Sequence, residues 1–302
     1  MPRPSNGHVL RSHWPEYLME ATGLGLFMVS AGLCATLLEH PASPVHAALP
    51  SPLLRRALMG IAMGLTAIAI IHSPWGRRSG AHINPAVTLT FLRLGRVRPA
   101  DAAFYIAFQC LGGLAGSLLV AALLGRRFTA PPIAAIATVP GMAGPAAAFA
   151  VELTMAFLLM TLVLVTTNRA EWERFTGVGA GVLVALFITA AAPLSGMSIN
   201  PARTLASAIP SGLWTSAWIY AVAPPLGMLL AVEVYRRLPG RRPVRCAKLN
   251  HDPRSRCIFC GQPARTTPQT IEQGGAHVQR PHVQRPHVQR PQAQRSQVHG
   301  PV

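Results

Sequence analysis

Two eleven-residue stretches hold the residues best placed to act on a passing molecule. Residues 79–89 read SGAHINPAVTL and residues 195–205 read SGMSINPARTL, matching at eight positions. Each contains Asn-Pro-Ala, as Asn84-Pro85-Ala86 and Asn200-Pro201-Ala202. Asn is a preferred helix N-cap and Pro a preferred first helical residue, so each stretch predicts the start of a short helix, with Gly80 or Gly196 allowing the turn before it. A helix start carries bare N–H groups and about half a positive charge. Two of them brought together repel cations, and the two Asn amides offer donors to a neutral molecule. Arg203 follows the second copy and adds a fixed cation with several donors. A lone Asn-Pro reads as a turn; two copies inside matching repeats call for more than that. A second cluster comprises Cys246, His251, Cys257 and Cys260, spaced C-x4-H-x5-C-x2-C. Three thiolates and an imidazole suit tetrahedral zinc. The C-x2-C pair is the firm element, and an exposed tail with incidental cysteines is the plainer alternative. In a reducing compartment a disulfide is disfavoured.

Something must position these residues, and the composition says what. The chain has 302 residues, 50% hydrophobic, with only 12% charged where an ordinary soluble domain has about 25%. Mean hydropathy is +0.34. This excludes a typical soluble enzyme and a wholly disordered chain, and five cysteines are too few for a secreted disulfide scaffold. A polytopic membrane protein remains. Six runs are long enough to cross a bilayer, at roughly 16–38, 53–74, 102–124, 146–167, 175–194 and 214–236. Residues 84–94 and 200–210 are too short to span. Arg3, Arg11 and Glu16, with no short apolar core and cleavage site, do not read as a secretory signal.

Six spans place both termini on one side. Arg77, Arg78, Arg93, Arg96, Arg98, Arg169 and Arg174 join the termini there, whereas the other side receives Arg55, Arg56, Arg126 and Arg127. The positive-inside tendency makes the terminal side cytoplasmic. The net charge of +17 fits this picture: thirteen of the 27 basic residues lie from Arg236 onward, as in a membrane-flanking tail, and nothing in the chain reads nucleic-acid bases. The spans fall into two groups of three, with Glu20 and Glu152 in the first helices and Gln109-Cys-Leu-Gly and Pro224-Pro-Leu-Gly in the third. Three is odd, so the second group sits inverted. An inverted repeat interrupted at corresponding places points to a path at mid-membrane.

These features together resemble the aquaporin, or major intrinsic protein, family. The resemblance covers about residues 14–238 and rests on both Asn-Pro-Ala motifs, Arg203, Glu20, Glu152, Gln109 and Pro224. It implies an all-α membrane protein with six transmembrane helices and two re-entrant half-helices in an inverted repeat. It also implies one pore per subunit, a homotetramer in the cell membrane, and no required cofactor. Glu20 and Glu152 then hold the re-entrant loops rather than carry protons. The family's selectivity filter corresponds here to Met63, Ile188, Met197 and Arg203, with Gly64 as the alternative register for Met63. Water-selective members usually place His at the Ile188 position. Glycerol facilitators usually have Asp after the Arg and a basic residue four further on, where this chain has Thr204 and Ala208. Tyr220 and Ala221 give a mixed signature at the sixth helix. The resemblance therefore implies a passive channel for water, small uncharged solutes, or both. Glycerol-like polyols, urea, metalloid acids, hydrogen peroxide and ammonia all stay open.

Two readings from other classes compete. A secondary active transporter shares the inverted repeat but needs ion-coupling groups. A membrane sensor or scaffold would act through the Cys/His segment. The absence of a catalytic triad, phosphate loop or paired-carboxylate site argues against an enzyme. The chain divides into an N-terminus (1–13), the channel domain (14–238), a basic Cys/His segment (239–265) and an HVQRP-repeat tail (266–302) expected to be disordered.

Overall fold

Each long apolar run is helical in the computed structural model, which describes residues 6–251 and 256–262. The expectation of disorder over 266–302 lies outside the described residues. A segment within lipid must satisfy its own backbone polar groups, and a helix does so locally. Among the described residues, six helices are long and apolar enough to cross a membrane. In chain order the principal elements are α1 (Asn6–Glu39), α2 (Pro52–His72), half-helix α3 (Pro85–Arg93), α4 (Pro99–Leu124), α5 (Gly144–Thr167), α6 (Thr176–Ser195), half-helix α7 (Pro201–Ser211) and α8 (Ala217–Arg237). No strand occurs among the described residues.

Local signals set several of the boundaries. Ser51 caps α2 by accepting from the Leu54 amide, with Pro52 as the first helical residue. Gly80 and Gly196, at φ 105° and 73°, end the helices that lead into the two repeats. One boundary differs from expectation: α1 begins at Asn6, ten residues before the apolar run, and continues through Pro15. The reason is tertiary. Asp101, buried in the first turn of α4, lies 2.7 Å from His13 Nδ1 and accepts from the Tyr17 hydroxyl at 2.6 Å.

The helices pack as two like halves. α1 lies along α4, α5 along α8, and α2 crosses α6 between the halves. Glycines make the seams, because lipid supplies no hydrophobic drive and helices must approach closely. A methyl group on Gly112 would meet the Ala21 backbone, and one on Gly116 that of Gly25. At the α2–α6 crossing, a Cβ on Gly64 would lie 2.5 Å from Gly181 O. Gly64→Val therefore forces the seam apart, and overpacking of this kind costs about 1–3 kcal/mol or more. Thermal unfolding in detergent is expected to show a clearly lowered midpoint; an unchanged midpoint would contradict the close crossing. On the outside, Leu65, Leu111 and Leu123 are each at least 60% exposed, an apolar perimeter suited to lipid.

Candidate functional site

The two half-helices meet through their caps. Asn84 Oδ1 accepts from the Ala86 amide at 2.9 Å, and Asn200 Oδ1 from the Ala202 and Arg203 amides at 3.0 and 3.3 Å. Each Asn also reaches across the junction. Asn84 Nδ2 donates to Ile199 O and Asn200 Nδ2 to Ile83 O, both at 2.8 Å. This exchange joins the two loops head to head. An amide NH2 has two hydrogens, so one per Asn ties the loops and one is left over. Sequence reasoning assigned these donors to the path alone and overlooked the tie.

Below each cap, the loop follows a tight course. Ala81 and Ile83 in the first copy, and Met197 and Ile199 in the second, have φ between 40° and 53°. Side chains disfavour this region, β-branched ones most of all, so the conformation must be held from outside. Glu20 and Glu152 do the holding, in parallel fashion. Glu20 Oε1 accepts from Ser79 Oγ (2.7 Å) and the His82 amide (3.1 Å), while Oε2 accepts from the Ile83 amide (2.6 Å) and Gln109 Nε2 (2.8 Å). Glu152 Oε1 accepts from Ser195 Oγ (2.7 Å) and the Ser198 amide (2.8 Å), and Oε2 from the Ile199 amide (2.6 Å). Both acids are fully buried.

A second symmetric pair escaped the sequence reading. The Tyr105 hydroxyl donates to Ser79 O at 2.7 Å and the Tyr220 hydroxyl to Ser195 O at 2.6 Å. The signal was present: each Tyr lies four residues before its half's Gln109 or Pro224. Tyr220, fully buried, thus ties down a loop.

One cavity of about 300 Å³ runs past these groups. Both Asn84 and Asn200 line it, as do Met63, Ile188, Met197 and Arg203. Gly64, the alternative to Met63, faces the α2–α6 seam instead. Glu39 and Arg56 stand at one end of the cavity, with Arg55 bound to Glu39 at 3.0 Å behind them. At the other end are His82 and, unexpectedly, Leu249 from the C-terminal segment. Arg203 Nη1 is buried and has no hydrogen-bond partner among the described residues.

The four C-terminal Cys and His side chains also come together. Their ligand atoms all lie within 4.8 Å of one another. The three cysteines of this group are unbridged. Cys246 and Cys257 approach to 3.5 Å between sulfurs, and the hydrogen bond between them pulls the Cys257 thiol well below its ordinary range while raising that of Cys246. The four ligand atoms are close enough to share one cation.

The inverted pair of three-helix groups thus carries two half-helices capped against each other, with the Asn pair lining the cavity. The chain belongs to the major intrinsic protein family, whose model matches residues 9–235. It is similar to the putative aquaporin NIP4-1 of Arabidopsis thaliana, 37% identical over 58% of this chain and 60% of that one. A probable NIP-type aquaporin of Nicotiana alata is 35% identical over 58% of this chain and 63% of its own length. The chain thus spans about three-fifths of these relatives. Aquaporin NIP1-3 of Oryza sativa subsp. japonica aligns more fully, 32% identical over 76% of this chain and 77% of its own. Among solved structures, the aquaglyceroporin of Plasmodium falciparum shares the fold, with a TM-score of 0.62 at 21% identity over 75% of this chain and 96% of that chain.

Proposed function

We propose that the protein is a passive channel for water and small uncharged solutes, which pass between Asn84 and Asn200 and are selected at Met63, Ile188, Met197 and Arg203. The observation that carries this reading is that all six side chains line one cavity. Two half-helix N-termini, each about half a positive charge, oppose cations at the Asn pair, and Arg203 opposes them again. The rest of the wall at that level is thioether and aliphatic. It offers few partners to a stripped water and suits a solute with one polar edge and a carbon face, such as a glycerol-like polyol. Methionine side chains adapt, so the aperture admits solutes of different outline. The other uncharged candidates, urea, metalloid acids, hydrogen peroxide and ammonia, belong to the same chemical range.

The excess of Arg on the side of the termini supports a cytoplasmic placement of both ends in the cell membrane. The apolar perimeter is compatible with the homotetramer usual in the family. Transport needs no cofactor in this reading, and the four C-terminal Cys and His side chains are read as a separate zinc site. An ion-coupled transporter is less well supported, because the oxygens of both intramembrane acids are engaged by loop donors.

Stopped-flow light scattering on proteoliposomes, with and without a membrane-permeant zinc chelator, tests the channel. Water or glycerol flux is expected to exceed that of empty vesicles and to ignore an imposed proton gradient. Flux that follows the gradient would overturn the passive reading. Ile188→His adds a polar ring to the apolar wall and is expected to lower glycerol flux relative to water about tenfold, the range for one misfitting group in a shaped pocket. A gain in glycerol flux would remove Ile188 from the filter.

A further inference from the structure

The C-terminal segment does not hang free below the channel. The His82 ring donates from Nε2 to Ala247 O at 2.6 Å, and the Leu249 amide donates to Gly80 O at 3.1 Å. Phe259 stacks on the His82 ring with centroids 5.6 Å apart and planes 9° off parallel, and it meets Tyr105 edge-on. Val244, Ala247 and Leu249 are buried in the same apolar core as Phe91 and Val163. The Arg245 amide is held by Asn168 Oδ1 at 3.0 Å. Leu249 thereby forms part of the cavity wall at the end nearest the termini. In the second repeat the position matching His82 is Ser198, whose hydroxyl bonds Thr204, and the residues packed over Gly196 are Thr138 and Val139.

The metal-ligating set lies in this same segment. With Zn–S near 2.3 Å and Zn–N near 2.0–2.1 Å, tetrahedral angles place S···S at about 3.8 Å and S···N at about 3.6 Å. Here Cys246 Sγ lies 3.5 Å from Cys257 Sγ, and His251 Nε2 lies 3.4 Å from Cys260 Sγ. A disulfide would need sulfurs at about 2.05 Å. Zinc with three thiolates and a neutral imidazole carries one net negative charge. Lys248, the sole lysine, is buried in the same segment, and its Nζ has no hydrogen-bond partner among the described residues. A buried unpaired ammonium is costly unless a nearby charge compensates it.

We infer that zinc bound by Cys246, His251, Cys257 and Cys260 fastens residues 244–251 and 256–262 as a plug over the pore mouth on the terminal side, with Leu249 and Phe259 as its contacts to the pore loop. The ligands come from both sides of the contact-making residues, so the metal closes a small loop that presents Ala247 and Leu249 to Gly80 and His82. Without the metal, a short polar segment has little core of its own to keep that shape. Removal of zinc then frees the mouth.

This inference rests on the channel reading for its flux consequence, and the experiment separates the two. Full-length protein is assayed for zinc by elemental analysis, for hydrogen exchange at the Leu249 amide, and for water and glycerol flux in proteoliposomes. About one zinc per chain is expected. Chelation, or Cys257→Ser with Cys260→Ser, is expected to deprotect Leu249 and raise flux about tenfold or more, since the minor state of a two-state switch holds some 0.1–10% of molecules. Phe259→Ala is expected to keep zinc yet raise flux. Re-added zinc is expected to reverse chelation in the parent but not in the double variant, which guards against a folding defect. Protein without zinc, a Cys246–Cys257 disulfide, or Leu249 protection and flux unchanged on chelation would overturn the plug. If no form conducts above empty vesicles, the channel reading fails, while zinc content and Leu249 exchange still decide whether the metal holds the segment.

Discussion

Glu20→Ala is expected to yield little or no monodisperse protein after detergent extraction. The substitution removes the acceptor of four buried donors: Ser79 Oγ, the His82 and Ile83 amides, and Gln109 Nε2. Each donor left unsatisfied costs about 1–3 kcal/mol, and together they approach the whole stability of a typical domain, about 5–15 kcal/mol. The loop they hold has Ala81 and Ile83 at positive φ, so it relaxes once released. Glu20→Gln is expected to fall between parent and alanine variant. Its carbonyl replaces one oxygen, but its NH2 opposes two of the donors. Size-exclusion profiles and melting midpoints of the three proteins measure this order. A Glu20→Ala protein that melts within a few degrees of the parent would show that the carboxylate does not hold the loop. Glu152→Ala is expected to behave alike, because its bonds to Ser195, Ser198 and Ile199 repeat the arrangement in the other half.

Arg203→Ala is expected to admit cations and larger solutes while leaving the protein folded. The guanidinium lies at the cavity wall, and its Nη1 has no partner among the described residues, so removal orphans no acceptor there. A unit charge opposing a cation at about 4 Å, with an effective dielectric of 20, contributes about 4 kcal/mol, or roughly a thousandfold in partition. The two half-helix N-termini remain and keep part of the barrier, so a rise in cation leak of about tenfold to a hundredfold is the expected result. Planar-bilayer conductance and vesicle uptake of a longer polyol report the two effects. Unchanged ion exclusion together with unchanged solute cut-off would place the selective point elsewhere along the cavity.

Much of the architecture was legible in single residues. Asn84-Pro85 and Asn200-Pro201 start half-helices at the predicted residues, because N-cap preference and the fixed φ of proline act within three or four positions. The six spans follow from apolar length alone, since lipid leaves the backbone no alternative to a helix. The start of α1 was not legible. Residues 6–15 are not apolar enough to announce a span, and they are helical where His13 and Tyr17 meet Asp101, more than eighty positions away.

The amino-acid sequence by itself determined the inverted repeat, the capped half-helices, and the presence of an intramembrane acid in each half. These depend on local propensity, hydrophobic length and the odd number of spans per group. Only the tertiary structure decided that Asn84 and Asn200 tie each other's loops, that Tyr105 and Tyr220 anchor them, and that Met63 rather than Gly64 faces the cavity. It also decided that the C-terminal segment meets the first repeat and the cavity. The bond from His82 to Ala247 spans 165 residues, and neither partner's neighbours in the sequence favour it. Such a contact is set by where two distant backbones come to rest, a property of the packed helices and not of any stretch of sequence.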